Sequence, residues 1–269
     1  MSAWYERSFG KEYLELYAHR DLPEACANIG AIDSLLALPK DEPLLDLCCG
    51  GGRCLVALRR AGFTHLVGLD LSGDLLEAAV AELHAEGVPE VLIHEPADTD
   101  APEPSPDRVV LVRSDMRRIP YRDYFATVLS IFTSFGYFEA DEDNLAVLQE
   151  AYRALRPGGI FLLDYLSRDW VVAHLVPEDE RRLPDRVIRN QRRITPDGRR
   201  VEKVVTVAPE GREPLVFNES VRMYTGAEMR RMLASAGFTD VETYGSLSGE
   251  SSGRDSQRLV LVGRKGSRA

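Results

Sequence analysis

Two hydrophobic periods alternate along the first part of the chain. Short, mostly apolar runs lie at 44–47, 65–71, 109–112, 125–132 and 160–165, and between several of them apolar residues recur every three or four positions. Short apolar runs bounded by turn residues predict buried strands, and the three-to-four spacing predicts helices. One helix runs over 53–61 and is stopped by Gly62. Another is capped by Ser72 and carries Leu75, Leu76, Ala79 and Leu83 on one face. A third covers 141–156 and ends at Pro157-Gly158-Gly159. Upstream, the spacing of Tyr13, Leu14 and Tyr17, then Ala31, Leu35 and Leu36, predicts two helices over 11–38 broken near Pro23. Strands alternating with helices imply parallel β-α-β units with right-handed crossovers.

The pattern changes at about residue 171. Runs at 186–195, 200–208 and 214–224, joined at Pro196-Asp197-Gly198 and Pro209-Glu210-Gly211, predict an antiparallel meander of three strands. Thr225-Gly226-Ala227-Glu228 has the form of a capping box and opens a helix to Ala236; strands at 239–244 and 257–263 follow. Residues 95–107, acidic and proline-rich, and 246–256, rich in glycine and serine, read as surface loops, the first of them mobile. The expected organisation is an N-terminal helical cap over 1–39, an α/β domain over 40–170 and 225–265, and an inserted β subdomain over 171–224.

Composition narrows the function. The 269 residues carry a net charge of −10, which disfavours wrapping a nucleic-acid backbone. No apolar run is long enough to span a bilayer, and the opening MSAWYERSFGKEY has no apolar signal core, so a cytoplasmic location is expected. Three of the four cysteines, Cys48, Cys49 and Cys54, crowd one segment without the spacing of a zinc site, and read as small buried thiols beside a tight turn.

That turn holds the candidate chemistry. Gly50, Gly51 and Gly52 lie between a strand and a helix, where backbone can approach a ligand closely. The spacing is not the dinucleotide fingerprint, because Leu55 stands where its third glycine would fall, and no Gly-Lys-Ser/Thr follows to make a P-loop. Asp70 ends the second strand, at about the distance along the chain from which a carboxylate reaches a ribose diol. Asp115-Met116, past the third strand, offers an acceptor for an exocyclic amine and a side chain to pack on a base.

Five motifs in order, LLDLCCGGGRCLVAL, VGLDLS, RSDM, LSIFTSFGYF and LRPGGIFLLDYL, resemble those of class I S-adenosylmethionine-dependent methyltransferases. The resemblance covers about 40–166 and the closing helix and strands. It implies an α/β fold with a Rossmann-like seven-stranded sheet flanked by helices, the last strand antiparallel. S-adenosyl-L-methionine is the implied cofactor, with Asp46, Gly50 and Gly52 shaping the loop around its methionine part. Asp70 would hold the ribose, Leu71 would pack on adenine, and Asp115 and Met116 would bind its edge. Tyr17, Cys48, Arg53, Ser114 and Phe132 complete the implied cofactor set. Cys48 is the departure, standing where the family pattern has its first glycine.

Methyl transfer from a sulfonium needs alignment above all, and a general base only where the acceptor must lose a proton. Ligands of open α/β sheets lie outside the carboxyl ends of the strands. Ser134 and Tyr137 are therefore candidates to face the acceptor, and His174 to act as base, with Asp164, Tyr165 and Arg168 nearby. Phe132 and Phe138 read better as core than as acceptor contacts. Tyr5, Phe9, Tyr13 and Tyr17 are placed to form a lid. Nine Arg and Lys side chains between Arg181 and Lys203 outnumber the acids among them. A solvated strand face explains most of these; an acidic substrate or a homodimer contact through the meander is the sharper reading. The expected acceptor is a small molecule methylated at N or O. A binding protein of the same fold with another activity, or a peptide methyltransferase, is the alternative.

Overall fold

The computed structural model describes residues 4–10, 21–95, 101–209, 211 and 213–267. Helix α1 (Trp4–Ser8) and helix α2 (Leu22–Leu36) precede the first strand. Asp21 caps α2 by accepting the Glu24 N–H at 3.0 Å, and Pro23 sits in its first turn. Proline is preorganised for that position and lacks only a donor that would be unpaired there. It therefore opens a helix where a break was expected, and the expected first helix falls outside the described residues.

Strands and helices then alternate: β1 (Leu44–Leu47), α3 (Arg53–Arg60), β2 (Leu66–Asp70), α4 (Gly73–Ala85), β3 (Glu90–His94), β4 (Arg108–Arg113), β5 (Phe125–Ser130), α5 (Asp141–Ala154) and β6 (Leu155–Leu166). Helix α6 (Arg168–His174) leads into β7 (Glu178–Leu183), β8 (Arg186–Ile194), β9 (Arg200–Pro209) and β10 (Leu215–Arg222). Helix α7 (Gly226–Ala236), β11 (Thr239–Tyr244) and β12 (Arg258–Arg264) close the chain. The capping box of α7 forms as read, with Glu228 accepting the Thr225 N–H at 2.7 Å.

The main sheet has the order β11-β12-β6-β5-β1-β2-β4-β3, with β12 antiparallel to both neighbours and the other pairings parallel. Alternate residues of each strand feed opposite faces. Leu44, Leu66 and Leu111 join Ile29, Leu58 and Leu76 under α2, α3 and α4, whereas Leu45, Val67 and Val110 join Leu148 and Leu233 under α5 and α7. Strand β3 adds an eighth, edge strand to the expected seven. Its five residues are too few and too mixed to announce it. Of the loop expected to be mobile, Pro102 is tied down by the Tyr121 hydroxyl, which donates to its carbonyl at 2.7 Å.

The insertion forms a second, antiparallel sheet in the order β10-β9-β8-β7. It has four strands against the expected three. β7, sequence EDERRL, is exposed at every position and so carries no apolar alternation to read. Asp141, the first residue of α5, anchors this sheet: it accepts from the Tyr224 hydroxyl at 2.6 Å, Arg199 at 2.7 Å and Arg222 at 3.2 Å. Arg200 donates to the Phe138 carbonyl at 3.0 Å from the same side. Helix α1 crosses to the insertion, where the Ser8 hydroxyl donates to the Asn218 carbonyl at 2.9 Å.

Candidate active site

Strand β1 neighbours β2 on one side and β5 on the other, so the chain changes direction across the sheet here, and a crevice opens at the carboxyl ends. The loop leaving β1 is folded tightly. The N–H groups of Cys48 and Cys49 both donate to the Leu69 carbonyl, at 2.7 and 3.0 Å. Cys48 has φ +68°, in the left-handed region that favours glycine, which accounts for glycine standing there in the family pattern. Gly52, φ +81°, opens α3; a Cβ there would lie 2.8 Å from that of Ala79, so its absence lets α4 close on the loop. At Gly50 a Cβ would meet nothing nearer than Leu75 Cδ1 at 4.0 Å, which leaves this backbone open to the cleft.

Asp70 joins the two loops that border the crevice. One carboxylate oxygen accepts the Gly50 N–H and the other the Ser72 N–H, both at 2.9 Å. Burial raises its pKa above the usual carboxylate value, and the two N–H groups only partly offset this. Beside it Leu71 is 39% exposed, an apolar side chain left uncovered next to a polar anchor.

These residues border a cleft of about 1060 Å³. Of the implied cofactor set it gathers Cys48, Gly50, Asp70 and Leu71 from the first two loops, and Ser114, Asp115 and Met116 from the third. Ser134 and Tyr137 face the same cleft, and Tyr5 and Phe9 cover it from α1 and the residues after it. Tyr17, with Tyr13, lies outside the described residues. Asp46, Gly52, Arg53 and Phe132 do not line the cleft. Asp46 and Gly52 stand behind the loop. Arg53 pairs with Glu24 at 3.2 Å and lies 3.8 Å over the ring of Phe132.

Asp115 is already engaged: Arg117 reaches both its oxygens, the closest contact 2.7 Å, and also donates its backbone N–H at 2.8 Å. Burial alone would raise this carboxyl, but Arg117 holds it below its ordinary value. Arg117 also bonds Asp143 at 2.9 Å, and it is a cleft residue that sequence reasoning missed. A cation two positions after Asp115 was the available signal. Burial and the neighbouring Asp70 and Asp46 hold the thiols of Cys48 and Cys49 well above their ordinary value, which disfavours the thiolate a nucleophile needs. Among the described residues no group of three metal-ligating side chains comes together.

Asp46 is buried at the end of β1, and its Oδ2 has no hydrogen-bond partner among the described residues. Desolvation pushes its pKa up to about 7, against an opposing pull from Arg53. A carboxyl that ionises at pH 3.8 in the unfolded chain and near 7 in the fold costs stability across that window as pH rises. The contribution is absent below about 4 and complete above about 7. Asp46→Asn should therefore match the parent near pH 3.5 and exceed it at pH 8 by on the order of a few kcal/mol, measured by urea unfolding at both values.

A second cavity, about 610 Å³, adjoins the cleft and shares Phe9 and Tyr137 with it. It takes Phe132 and Thr133 from the turn after β5, Trp170 and His174 from α6, and a wall from the inserted sheet. Phe132, expected to be core, is half-buried: it packs against the core while also lining this cavity, whereas Phe138 is buried at 4% exposed. Phe132 and Thr133 have φ of +64° and +61°, and Asp164 holds this strained turn by accepting both N–H groups at 3.0 Å, with its side chain and its carbonyl. Asp164 in turn pairs with Arg258 at 2.5 Å. His174 lies against Trp170, ring centroids 4.8 Å apart, with Nδ1 3.0 Å from the Trp170 carbonyl.

Among the described residues, most basic side chains of the insertion are paired with acids. Arg189 and Arg182 pair with Glu180, Arg186 with Asp185, Arg193 with Glu202, and Arg192 with Asp179. The acids from β7 supply much of this neutralisation, and the acidic-substrate reading is corrected accordingly.

A buried, unpartnered carboxylate oxygen, an open glycine backbone, an acid at the end of β2 and an uncovered leucine beside it fit an S-adenosyl compound. Comparison with known proteins agrees. Residues 17–243 match the family described as methyltransferase domain. The YqeM protein of Bacillus subtilis (strain 168) is 26% identical over 173 residues, 64% of this chain, and the match spans only 59% of YqeM. The dTDP-3-amino-3,4,6-trideoxy-alpha-D-glucopyranose N,N-dimethyltransferase of Streptomyces venezuelae is 26% identical over 208 residues, 74% of this chain and 76% of that protein. Among solved structures, an S-adenosylmethionine-dependent methyltransferase from Clostridium acetobutylicum ATCC 824 superposes with a TM-score of 0.74 at 16% identity, covering 94% of this chain and 96% of the other. The chain belongs to the methyltransferase-domain family and has the class I S-adenosylmethionine-dependent fold.

Proposed function

We propose that the protein transfers a methyl group from S-adenosylmethionine to a nitrogen or oxygen of a small-molecule acceptor, an activity of class 2.1.1. The observation that carries this reading is Asp70 bridging Gly50 and Ser72 at the point where the sheet order reverses. Gly50, Asp70, Leu71 and Met116 would hold the cofactor in the larger cleft. When bound, S-adenosylmethionine supplies a methyl on a positively charged sulfur, which becomes a neutral thioether as an acceptor lone pair takes the carbon.

The chain's own part is to hold two molecules in line and keep water out. Phe9 and Tyr137 stand where the two cavities meet, so they set the approach of the acceptor. Ser134 donates its hydroxyl hydrogen to the Ile131 carbonyl at 3.0 Å, which commits it to the turn. Where the acceptor must lose a proton, we assign that task to Tyr137 or His174. With its Nδ1 proton given to the Trp170 carbonyl, His174 keeps Nε2 as an acceptor.

The relative named for N,N-dimethylation of an amino sugar supports a small acceptor. We read residues 1–39 as a cap, 40–170 with 225–265 as the cofactor domain, and 171–224 as the acceptor cover. Exposed Leu183, Leu215 and Val216 on the inserted sheet support a homodimer contact there. Four unpaired cysteines support a reducing, cytoplasmic setting, and among the described residues no helix is long and apolar enough to cross a membrane. Calorimetric titration tests the central reading. S-adenosylmethionine and S-adenosylhomocysteine should bind in the micromolar range and NADH should not. Absence of both sulfur compounds from folded, ligand-free protein would overturn it.

A further inference from the structure

The second cavity has a composition that selects its ligand. The charged side chains facing it, apart from His174, cancel in pairs: Arg192 meets Asp179, and Lys203 lies 3.7 Å from Glu219. An ionic ligand such as a diphosphate needs cations or backbone donors aimed at it. Here each cation already answers to a carboxylate, and separating a half-buried pair would leave one charge uncompensated.

A cationic ligand would need open aromatic faces. Part of that aromatic surface is already covered. Arg53 lies 3.8 Å over Phe132, His174 stacks on Trp170 at 4.8 Å, and Phe9 stacks on Tyr137 at 5.6 Å with planes 26° apart. Beside the rings, the wall carries the aliphatic Leu166, Val171, Val201 and Val221. Burying apolar surface against such walls is worth about 25 cal/mol per Å². A volume of about 610 Å³ is ample for a molecule of two or three fused rings.

We propose that this cavity is the acceptor chamber and that it selects an uncharged, largely apolar ring compound carrying a hydroxyl or amine, against nucleotide-linked and other ionic acceptors. The inference rests on the methyl-transfer reading in treating the ligand as an acceptor; the binding preference itself does not depend on it.

Both tryptophans of the chain, Trp4 and Trp170, line the chamber, so their fluorescence reports on its contents. The test titrates the full-length protein with 2-naphthol, a neutral bicyclic alcohol, and then adds dTDP-glucose in excess. Saturable quenching by 2-naphthol is expected, undisturbed by about a hundredfold excess of dTDP-glucose. Val201 and Val221 are directly paired across β9 and β10, so a larger side chain at either fills the same space. Val201→Phe should weaken 2-naphthol by about tenfold or more while leaving S-adenosylhomocysteine binding intact. If that variant fails to bind S-adenosylhomocysteine, Val221→Phe replaces it; if both fail, Trp170→Phe on the intact wall must lower the quenching amplitude.

Displacement by dTDP-glucose, quenching that never saturates, or an affinity indifferent to these changes would overturn the proposal. Titration with S-adenosylhomocysteine on the same samples separates the two readings. Quenching without S-adenosylhomocysteine binding would keep the chamber's preference and defeat methyl transfer. The reverse result would keep methyl transfer and defeat the preference.

Discussion

Asp70→Ala should weaken S-adenosylhomocysteine binding by about tenfold to a hundredfold, equivalent to about 1–3 kcal/mol. Two effects add. The variant removes the carboxylate that we assign to the ribose. It also strips the Gly50 and Ser72 N–H groups of the acceptor they share, so the loops after β1 and β2 lose their common anchor. Asp70→Asn separates these contributions. Its amide oxygen can still accept one N–H while its nitrogen opposes the other, so an intermediate loss is expected. Calorimetry at fixed pH measures all three proteins. An unchanged affinity in the alanine variant would remove Asp70 from the site.

Gly52→Val carries the largest expected cost to the fold, about 3 kcal/mol or more. The added Cβ would fall 2.8 Å from Ala79 Cβ and 3.1 Å from its Cα, against backbone of α4 that cannot rotate aside. At φ +81° a β-branched residue also meets the strain of the left-handed region. Gly52→Ala makes the same collision with less bulk and should lose about 2 kcal/mol. Urea unfolding measures both. Stability within about 0.5 kcal/mol of the parent would show that α4 has freedom the packing does not suggest. Cys48 is the instructive contrast. It holds φ +68°, yet its side chain has room, with Sγ 3.9 Å from Met116 Sδ and 4.0 Å from the Ser134 carbonyl.

The strands that place the site were legible because each is mostly apolar and ends at a turn. Leu44–Leu47 is buried at every position, so its neighbours on both faces leave no polar signal to confuse it. Asp70 was legible from its distance to the glycines. The edge strands β3 and β7 were not: each pairs on one side only, and β7 is polar up to Leu183 and exposed at every position. Missing β7 also concealed Asp179 and Glu180 as partners of the insertion's arginines, so a neutralised wall read as a basic one. Phe132 misled for a related reason. Its neighbours are apolar in sequence, but the strained turn held by Asp164 leaves it at the margin of the core and under Arg53.

The anchorage at Asp141 bears on how small molecules come and go. With Arg199, Arg222 and Tyr224 all bound to one carboxylate at the start of α5, and Arg200 fastened to the Phe138 carbonyl, the inserted sheet is a fixed wall and not a swinging door. Helix α1 packs on the same wall, with the Ser8 hydroxyl bonded to the Asn218 carbonyl and ring contacts to Tyr137 and Phe138. Small molecules thus meet a wall whose position is set from α5, and its inward face is free to diversify in shape without loosening that anchorage.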